Sequence, residues 1–275
     1  MLYKNRIFIY GVLIVYCLFN VLSYVWLFLS SLKDSSEMFS SSPWALPENL
    51  VWSNYIDAWD IGSIGSYLLN SVYVTSLATI GTLLIASMAA YVLGRIEFRA
   101  SNLILTFFLI AMMMPRCMIV IPLFDILQQL NLLNSLNGLV FVYITMQLPI
   151  NVFILTSFYK SIPFELEEAA AIDGASPIRT FFQIMMPLTG SALVACGIIN
   201  VLQIWNEFLY ALIFLNDDNV FTLPVGIFKL NQIADYSSNW SILFAGMIIS
   251  IIPILILFAL FQRQFAKGIA EGSLK

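Results

Sequence analysis

Few side chains in this sequence are equipped for chemistry. Its 275 residues include no histidine, which removes the commonest metal ligand and general base. Cys17, Cys117 and Cys196 lie far apart inside apolar runs, so neither a paired-cysteine metal site nor a disulfide framework is readable. No metal site and no catalytic residue is assigned. A glycine-rich phosphate loop ending in Gly-Lys-Ser or Gly-Lys-Thr is absent, so any ATP hydrolysis must come from a partner. An intramembrane enzyme would need titratable groups clustered at one depth, and the only candidates are Arg116, Asp125 and Glu207. What remains is polar. Asn200, Gln203, Asn206 and Glu207 recur at spacings of three and four, so most share one helix face. Such a stripe either joins helices by hydrogen bonds, at about 0.6 kcal/mol per contact, or lines a polar path. The second concentration is the run from Glu165 to Ala175, closed by Pro187, charge-rich in a chain that is otherwise apolar.

The elements that carry these residues follow from composition. Hydrophobic residues make up 60% and charged residues 10%, and the mean hydropathy is +0.90. A soluble domain carries about 25% charged residues; with so few, a soluble fold could not cover its own surface, and the solvent must be lipid. The net charge of -4 supplies no basic field for nucleic acid.

Six apolar runs are long enough to cross a hydrocarbon core, which takes about 20 residues. They cover about 7–32, 67–94, 103–123, 136–159, 188–215 and 240–261. Each must be helical, because unpaired backbone groups in lipid cost several kcal/mol apiece. The fold class is therefore all-α, an integral membrane protein in one transmembrane domain over 1–275, with the polar loop at about 160–187. The first run is too long for a signal-peptide core and lacks a small-residue cleavage site, so it reads as a retained span. No internal repeat is visible, which counts against inverted-repeat secondary transporters.

Basic residues set the orientation. Lys4, Arg6, Arg95, Arg99, Lys160, Arg179, Arg263, Lys267 and Lys275 fall on one side of the six runs. Only Lys33 and Lys229 fall on the other. The positive-inside rule then expects both termini and the 160–187 loop in the cytosol. The outer side is acidic, with Asp34, Glu37, Glu48, Asp57, Asp60, Asp217, Asp218 and Asp235. That is either a solvated rim or a weak bias against anionic cargo. The outer segment from Ser30 to Ser66 is too polar to span and is expected to pack as a cap.

The 160–187 loop reads as a helix–turn–helix. Pro163 pre-sets a first turn, and Glu165, Glu167 and Glu168 follow where the helix dipole favours anions. Ala169, Ala170 and Ala171 are strong helix formers that leave a flat surface. Asp173-Gly174 ends the helix through the backbone freedom of glycine. Ser176 caps a second helix with Pro177 at its first position, and Pro187 ends or kinks it. An amphipathic helix pair lying on the membrane would share these features, but not the combined spacing of Glu168, Ala169, Ala170, Asp173, Gly174, Ala175 and Pro187.

That spacing resembles the EAA loop of the membrane subunits of binding-protein-dependent ABC importers. Glu168-Ala169-Ala170, Asp173-Gly174-Ala175 and Ile184 to Pro187 carry the match. Asn54-Tyr55, Asn70-Ser71, Ala89-Ala90-Tyr91 with Arg95, Ile121-Pro122-Leu123 and Trp205-Asn206-Glu207-Phe208-Leu209 are similar to the carbohydrate-uptake branch, specifically its maltose-type second permease subunit. So is the tail Gln262-Arg263 through Phe265, Gly268 and Gly272 to Lys275. The resemblance implies a bacterial inner-membrane transport subunit without catalytic activity. Its partners would be a second, different permease, two ATPase subunits holding ATP and magnesium, an extracytoplasmic substrate-binding protein and membrane lipid, with no nucleic acid and no cofactor in this chain. Glu165, Glu168, Ala169, Ala170, Asp173, Gly174, Ala175 and Pro187 would meet the ATPase. Asn200, Gln203, Asn206, Glu207 and Arg116 are the candidates for the translocation pathway. The imported solute would be a sugar or sugar derivative; an amino acid, peptide or polyol phosphate is the alternative.

Arg116 departs from the neutral residue that the resemblance implies. An arginine at a helix centre in lipid costs about 2.5–3.5 kcal/mol. Either it snorkels outward, pairs with Glu207 or Asp125, or lies on the pathway. Pro115, Pro122 and Pro149 are expected to kink spans three and four.

Overall fold

The computed structural model describes residues 2–40 and 42–273, with the backbone alone for 2–8, 40, 237 and 263–273. Ser41 and Lys275 lie outside the described residues, as do the side chains of Lys4, Arg6, Arg263 and Lys267. Among the described residues there are helices and no strand. In chain order they are α1 (Leu2–Ser31), α2 (Glu37–Ser40), α3 (Ser53–Asp60), α4 (Ile64–Arg95), α5 (Ser101–Met113), a 3-10 turn (Arg116–Ile119), α6 (Val120–Gln129), α7 (Leu136–Ser161) and α8 (Glu165–Ile172). There follow α9 (Pro177–Thr180), a π-helical turn (Phe181–Met185), α10 (Met186–Leu188), α11 (Gly190–Trp205), α12 (Leu209–Phe214), a second 3-10 turn (Asp218–Val220), α13 (Leu223–Ser237) and α14 (Trp240–Ser273).

Among the described residues four helices are long and apolar enough to cross a membrane: Ile9–Ser31, Ile64–Arg95, Leu136–Ser161 and Trp240–Gln262. Two further pairs qualify only when each bent pair is taken as one span. The run expected to be continuous over 103–123 is broken, α5 meeting the Arg116–Gln129 segment at 101°. The cause is Pro115. Its ring forces the preceding residue out of the helical region, and Met114 and Pro115 are both extended, with ψ of 128° and 127°. Pro122 falls in the first turn of α6, where a missing N–H costs nothing, and α7 runs unbroken through Pro149. The run expected over 188–215 is likewise divided. The 74° bend between the Pro177–Leu188 segment and α11 falls at the start of that run, where the loop was expected to end; within it the helix stops at Trp205, and three residues separate it from α12.

The chain divides into two compact units. The first comprises residues 1–68 and 225–255. Here the outer segment is tied to the end of α1. The buried Asn54 amide donates to the carbonyls of Ser31 and Lys33 at 2.9 and 3.0 Å, satisfying groups that the helix end leaves open. Ser31 and Tyr55 share a hydroxyl bond of 2.7 Å. Trp26 donates to the Pro43 carbonyl at 2.8 Å and packs edge-on against Phe244.

The second unit, residues 69–224 and 256–275, holds the polar groups singled out above. Its core joins α4, α7, the π turn and α11 through Ala86, Ala90, Leu93, Val152, Leu155, Tyr159, Phe181, Met185, Ala192 and Cys196. Small residues at the contacts let helices in lipid approach closely enough for dispersion to hold them. A Cβ on Gly94 would stand 3.2 Å from the Thr156 carbonyl oxygen. Tyr159 is fully buried, its hydroxyl bonded to Ser87 at 2.6 Å and its ring edge-on to Tyr91.

Candidate functional site

Two places in the second unit concentrate polar chemistry. The first is the helix pair α8–α9. α7 ends at Ser161 and Ile162 turns extended. Pro163 then leads to Phe164, whose carbonyl accepts from the N–H groups of Glu167 and Glu168. Glu165, Glu167 and Glu168 occupy the first turn of α8. The helix closes as a Schellman motif: Ala175 N–H reaches the Ala170 carbonyl at 2.9 Å and Gly174 N–H the Ala171 carbonyl at 3.0 Å. Gly174 sits at φ +76° with open space around it, so it is backbone conformation and not crowding that requires glycine. Ser176 caps α9, its hydroxyl accepting from Arg179 N–H at 3.3 Å, with Pro177 at the first position. Pro187 cannot donate to residue 183. The turn before it widens into a π-helix, in which Met186 N–H reaches back to the Phe181 carbonyl.

One face of this pair is held and the other is free. Ala170 is buried. Glu165, Glu168, Ala169, Asp173 and Pro187 are exposed, and Ile172 and Ile178 are 86% and 73% exposed. The held side depends on Arg95, the last residue of α4, whose side chain is 1% exposed. Its guanidinium pairs with Glu167 at 2.6 Å, with a second contact of 2.7 Å from Nε. It also donates to the carbonyls of Tyr159, Ile162 and Pro163 at 3.3, 2.7 and 3.3 Å. Those carbonyls lie at the end of α7, where a helix leaves acceptors unsatisfied and favours a cation. Cζ stands 3.8 Å from the Phe164 ring centroid, a cation–π contact. One side chain thus fastens α4, α7 and α8 together.

The second place is polar and deeper. Asn200 of α11 is fully buried and exchanges paired bonds with Asn151 of α7, at 2.8 and 3.1 Å. Arg116 donates to Gln203 Oε1 at 3.0 Å. It pairs with neither Glu207 nor Asp125, the partners expected from the sequence. Glu207 is engaged elsewhere: it accepts from the Tyr143 hydroxyl at 2.6 Å and from the Tyr210 and Ala211 N–H groups at 3.0 and 3.3 Å. The last two bonds satisfy open donors at the start of α12. The Tyr210 hydroxyl donates to the Arg116 carbonyl at 2.9 Å, supporting the bend. A cavity of about 380 Å³ opens beside it, lined by Met112, Met114, Arg116, Thr145, Gln147 and Gln203 among others.

The stripe read from spacing therefore separates. Asn200 is locked inside and Gln203 meets Arg116. Asn206 is exposed and bonds its own helix at Leu202, and Glu207 lies past the helix end. Tyr143, Gln147 and Asn151 were not singled out from the sequence. The signal for the last two was there: amides four residues apart in an apolar run. Arg95 was placed among the basic residues flanking a span and in the resemblance beside Ala89-Ala90-Tyr91, but its bond to a glutamate 72 positions away leaves no periodic trace. Among the described residues no three metal-ligating side chains stand together.

Comparison with known proteins gives these places a context. Residues 82–271 match the family described as the binding-protein-dependent transport system inner membrane component. The chain is 35% identical to the diacetylchitobiose uptake system permease protein NgcG of Streptomyces coelicolor, over 97% of this chain and 88% of that one. It is 34% identical to the trehalose/maltose transport system permease protein MalG of Thermococcus litoralis, over 99% and 97%. A crystal structure of a bacterial ABC transporter involved in the import of the acidic polysaccharide alginate superposes with a TM-score of 0.82 at 20% identity, covering 95% of this chain and 98% of that one. That likeness is one of fold. The chain belongs to the family of binding-protein-dependent transport system inner membrane components, a multi-pass permease subunit of an ABC importer and a part of the transport machinery rather than an enzyme.

Proposed function

We propose that the chain is one of two different permease subunits of a sugar importer, crossing the inner membrane six times. Both termini and the α8–α9 pair lie in the cytosol. The four long helices, the bent Ser101–Gln129 pair and α11 give six, and the lysines and arginines between spans favour this orientation. The pair α8–α9 is the coupling loop. Two ATPase subunits, which bind ATP and magnesium, dock on its free face at Glu165, Glu168, Ala169, Asp173 and Ile172. An extracytoplasmic binding protein delivers the solute from the other side. Closure of the ATPases moves the loop and rocks the spans between inward-facing and outward-facing arrangements. The polar groups at Arg116, Gln203 and Asn200 stand on or beside the path. The sugar assignment is supported by the named cargo of the relatives, diacetylchitobiose and trehalose/maltose.

The observation that carries this reading is the asymmetry of α8–α9. Its inner side is fixed by a buried arginine, while its outer side leaves Ile172 and Ile178 exposed. A helix pair merely resting on lipid would not need the clasp. The test is purification from native membrane. Co-purification of an ATPase and a second permease is expected, with hydrolysis stimulated by saccharide and binding protein together. Isolation as a lone chain or homodimer, without ATPase, would overturn it.

A further inference from the structure

Arg116 stands at the break between α5 and the following 3-10 turn, exposed to the 380 Å³ cavity. A guanidinium has five N–H donors and no acceptor, and among the described residues its side chain makes one hydrogen bond, to Gln203. No carboxylate forms an ion pair with it among those residues. Glu207, the acid nearest in the polar network, already accepts from a hydroxyl and two backbone N–H groups. A cation at membrane depth is expensive and calls for a named partner, and this one has no anion among the described residues. The opposite wall supplies an independent sign. Gln147 lines the same cavity, is 3% exposed, and its Oε1 accepts no hydrogen bond. Buried acceptors left without a donor are rare in native proteins. The cavity thus presents unused donors carrying positive charge, while the Gln147 acceptor is closed off within its wall.

We propose that this cavity is a solute subsite selective for a saccharide bearing an oxyanion, a carboxylate or phosphate. Arg116 receives the oxyanion, held in place by Gln203. The inference rests on the sugar-importer reading and adds the charge of the cargo to it. Oxyanions suit the planar guanidinium fork in a way that neutral hydroxyls do not. A hydrogen bond to a charged group is worth more than a neutral one, so a preference of about tenfold, or about 1.4 kcal/mol, is expected.

The test uses the complete transporter in nanodiscs of zwitterionic lipid, without binding protein, so that the receptor's own specificity does not intervene. Saturation-transfer NMR titrations compare glucuronate and glucose 6-phosphate with glucose. At least one acid should bind about tenfold more tightly than glucose. Arg116→Gln should erase that difference, the acids then binding no more tightly than glucose does to the same variant; it removes a costly charge, so assembly should survive, as gel filtration would check. Equal binding of the acids and glucose to the unaltered complex overturns the charge preference, as does a preference that persists in Arg116→Gln. If neither sugar nor acid binds while saccharide-stimulated ATP hydrolysis remains, the subsite falls and the importer reading stands. If the preference is present in zwitterionic lipid but vanishes in phosphatidylglycerol nanodiscs, Arg116 serves a lipid phosphate and the proposal fails.

Discussion

The clasp at Arg95 invites a quantitative test. Replacing it with methionine keeps the length of the stem and removes the fork. Three carbonyls at the end of α7 then lose their donor, and Glu167, 17% exposed, loses its cation. Breaking a buried pair by removing one partner costs about 3–5 kcal/mol; since Glu167 retains some access to water, the lower bound of about 3 kcal/mol is appropriate. Glu167→Gln is milder, because the amide oxygen still accepts from Arg95 and only the charge assistance goes, about 1 kcal/mol.

The cost should appear as local opening of α8. Hydrogen exchange on the intact complex should accelerate at the amides of Ala169 to Ile172 by about a hundredfold in Arg95→Met and about fivefold in Glu167→Gln. Amides in the middle of α7 should be unaffected. The double variant should be little worse than Arg95→Met alone, since neighbours sharing one interaction are not additive. Loosening α8 should also raise the ATP hydrolysed per solute imported, a ratio that simple loss of complex would leave unchanged. If α8 exchange in Arg95→Met stays within twofold of the unaltered protein, the arginine does not hold the loop.

Three further outcomes follow from local geometry. Gly174→Val places a β-branched residue at φ +76°, a strain of about 1–3 kcal/mol; since nothing crowds the position, the chain should still reach the membrane, but ATPase should be lost on purification, whereas full retention would remove the turn from the docking surface. In a cysteine-free background, single cysteines at Ser101 and Ser176 should resist an impermeant thiol reagent in spheroplasts and one at Asn219 should react, labelling at Ser176 being the result that reverses the orientation. Glu207→Gln cannot reproduce both backbone contacts at the start of α12, a lost cap of about 1 kcal/mol, so the Tyr210 and Ala211 amides should exchange about fivefold faster; unchanged exchange there would refute the capping role.

The features legible in the sequence were those with a local cause. Ser176-Pro177 and Asp173-Gly174 specify a cap and a turn from their own chemistry, and the structure places both at those residues. The apolar runs at 7–32, 67–94, 136–159 and 240–261 correspond to single long helices, because hydrocarbon leaves the backbone no other way to satisfy itself. Hydropathy cannot register a change of direction. The breaks at Pro115 and after Trp205 lie within runs that remain apolar on both sides, so composition joined what the backbone separates. Three prolines in spans three and four read alike, and only Pro115 breaks a helix, since the first turn absorbs Pro122. Nor could spacing assign Glu207. Its place in a helical stripe presumed a helix through residue 207, and α11 ends at Trp205.

The two candidate places are joined by one element. α7 contributes Gln147 and Asn151 to the polar cavity and the carbonyl of Tyr159 to the Arg95 clasp. Tyr159 lies twelve residues beyond Gln147, about 18 Å along a helix rising 1.5 Å per residue. No break falls between them, and the intervening face is packed through Val152 and Leu155 against small residues of α4. Close-packed interiors transmit displacement rather than absorb it. A force applied to α8 therefore reaches the cavity through α7 as rigid motion, while the facing wall is α5 and the 101° bend at Pro115. The bend places Arg116 at the lining of that cavity. The rigid wall is the one fastened to α8, and the wall that carries the cation is the one with a built-in break. Under the proposed function, an importer that must close one side of its path while opening the other would use that division of labour, set by Pro115 on one wall and Arg95 at the foot of the other.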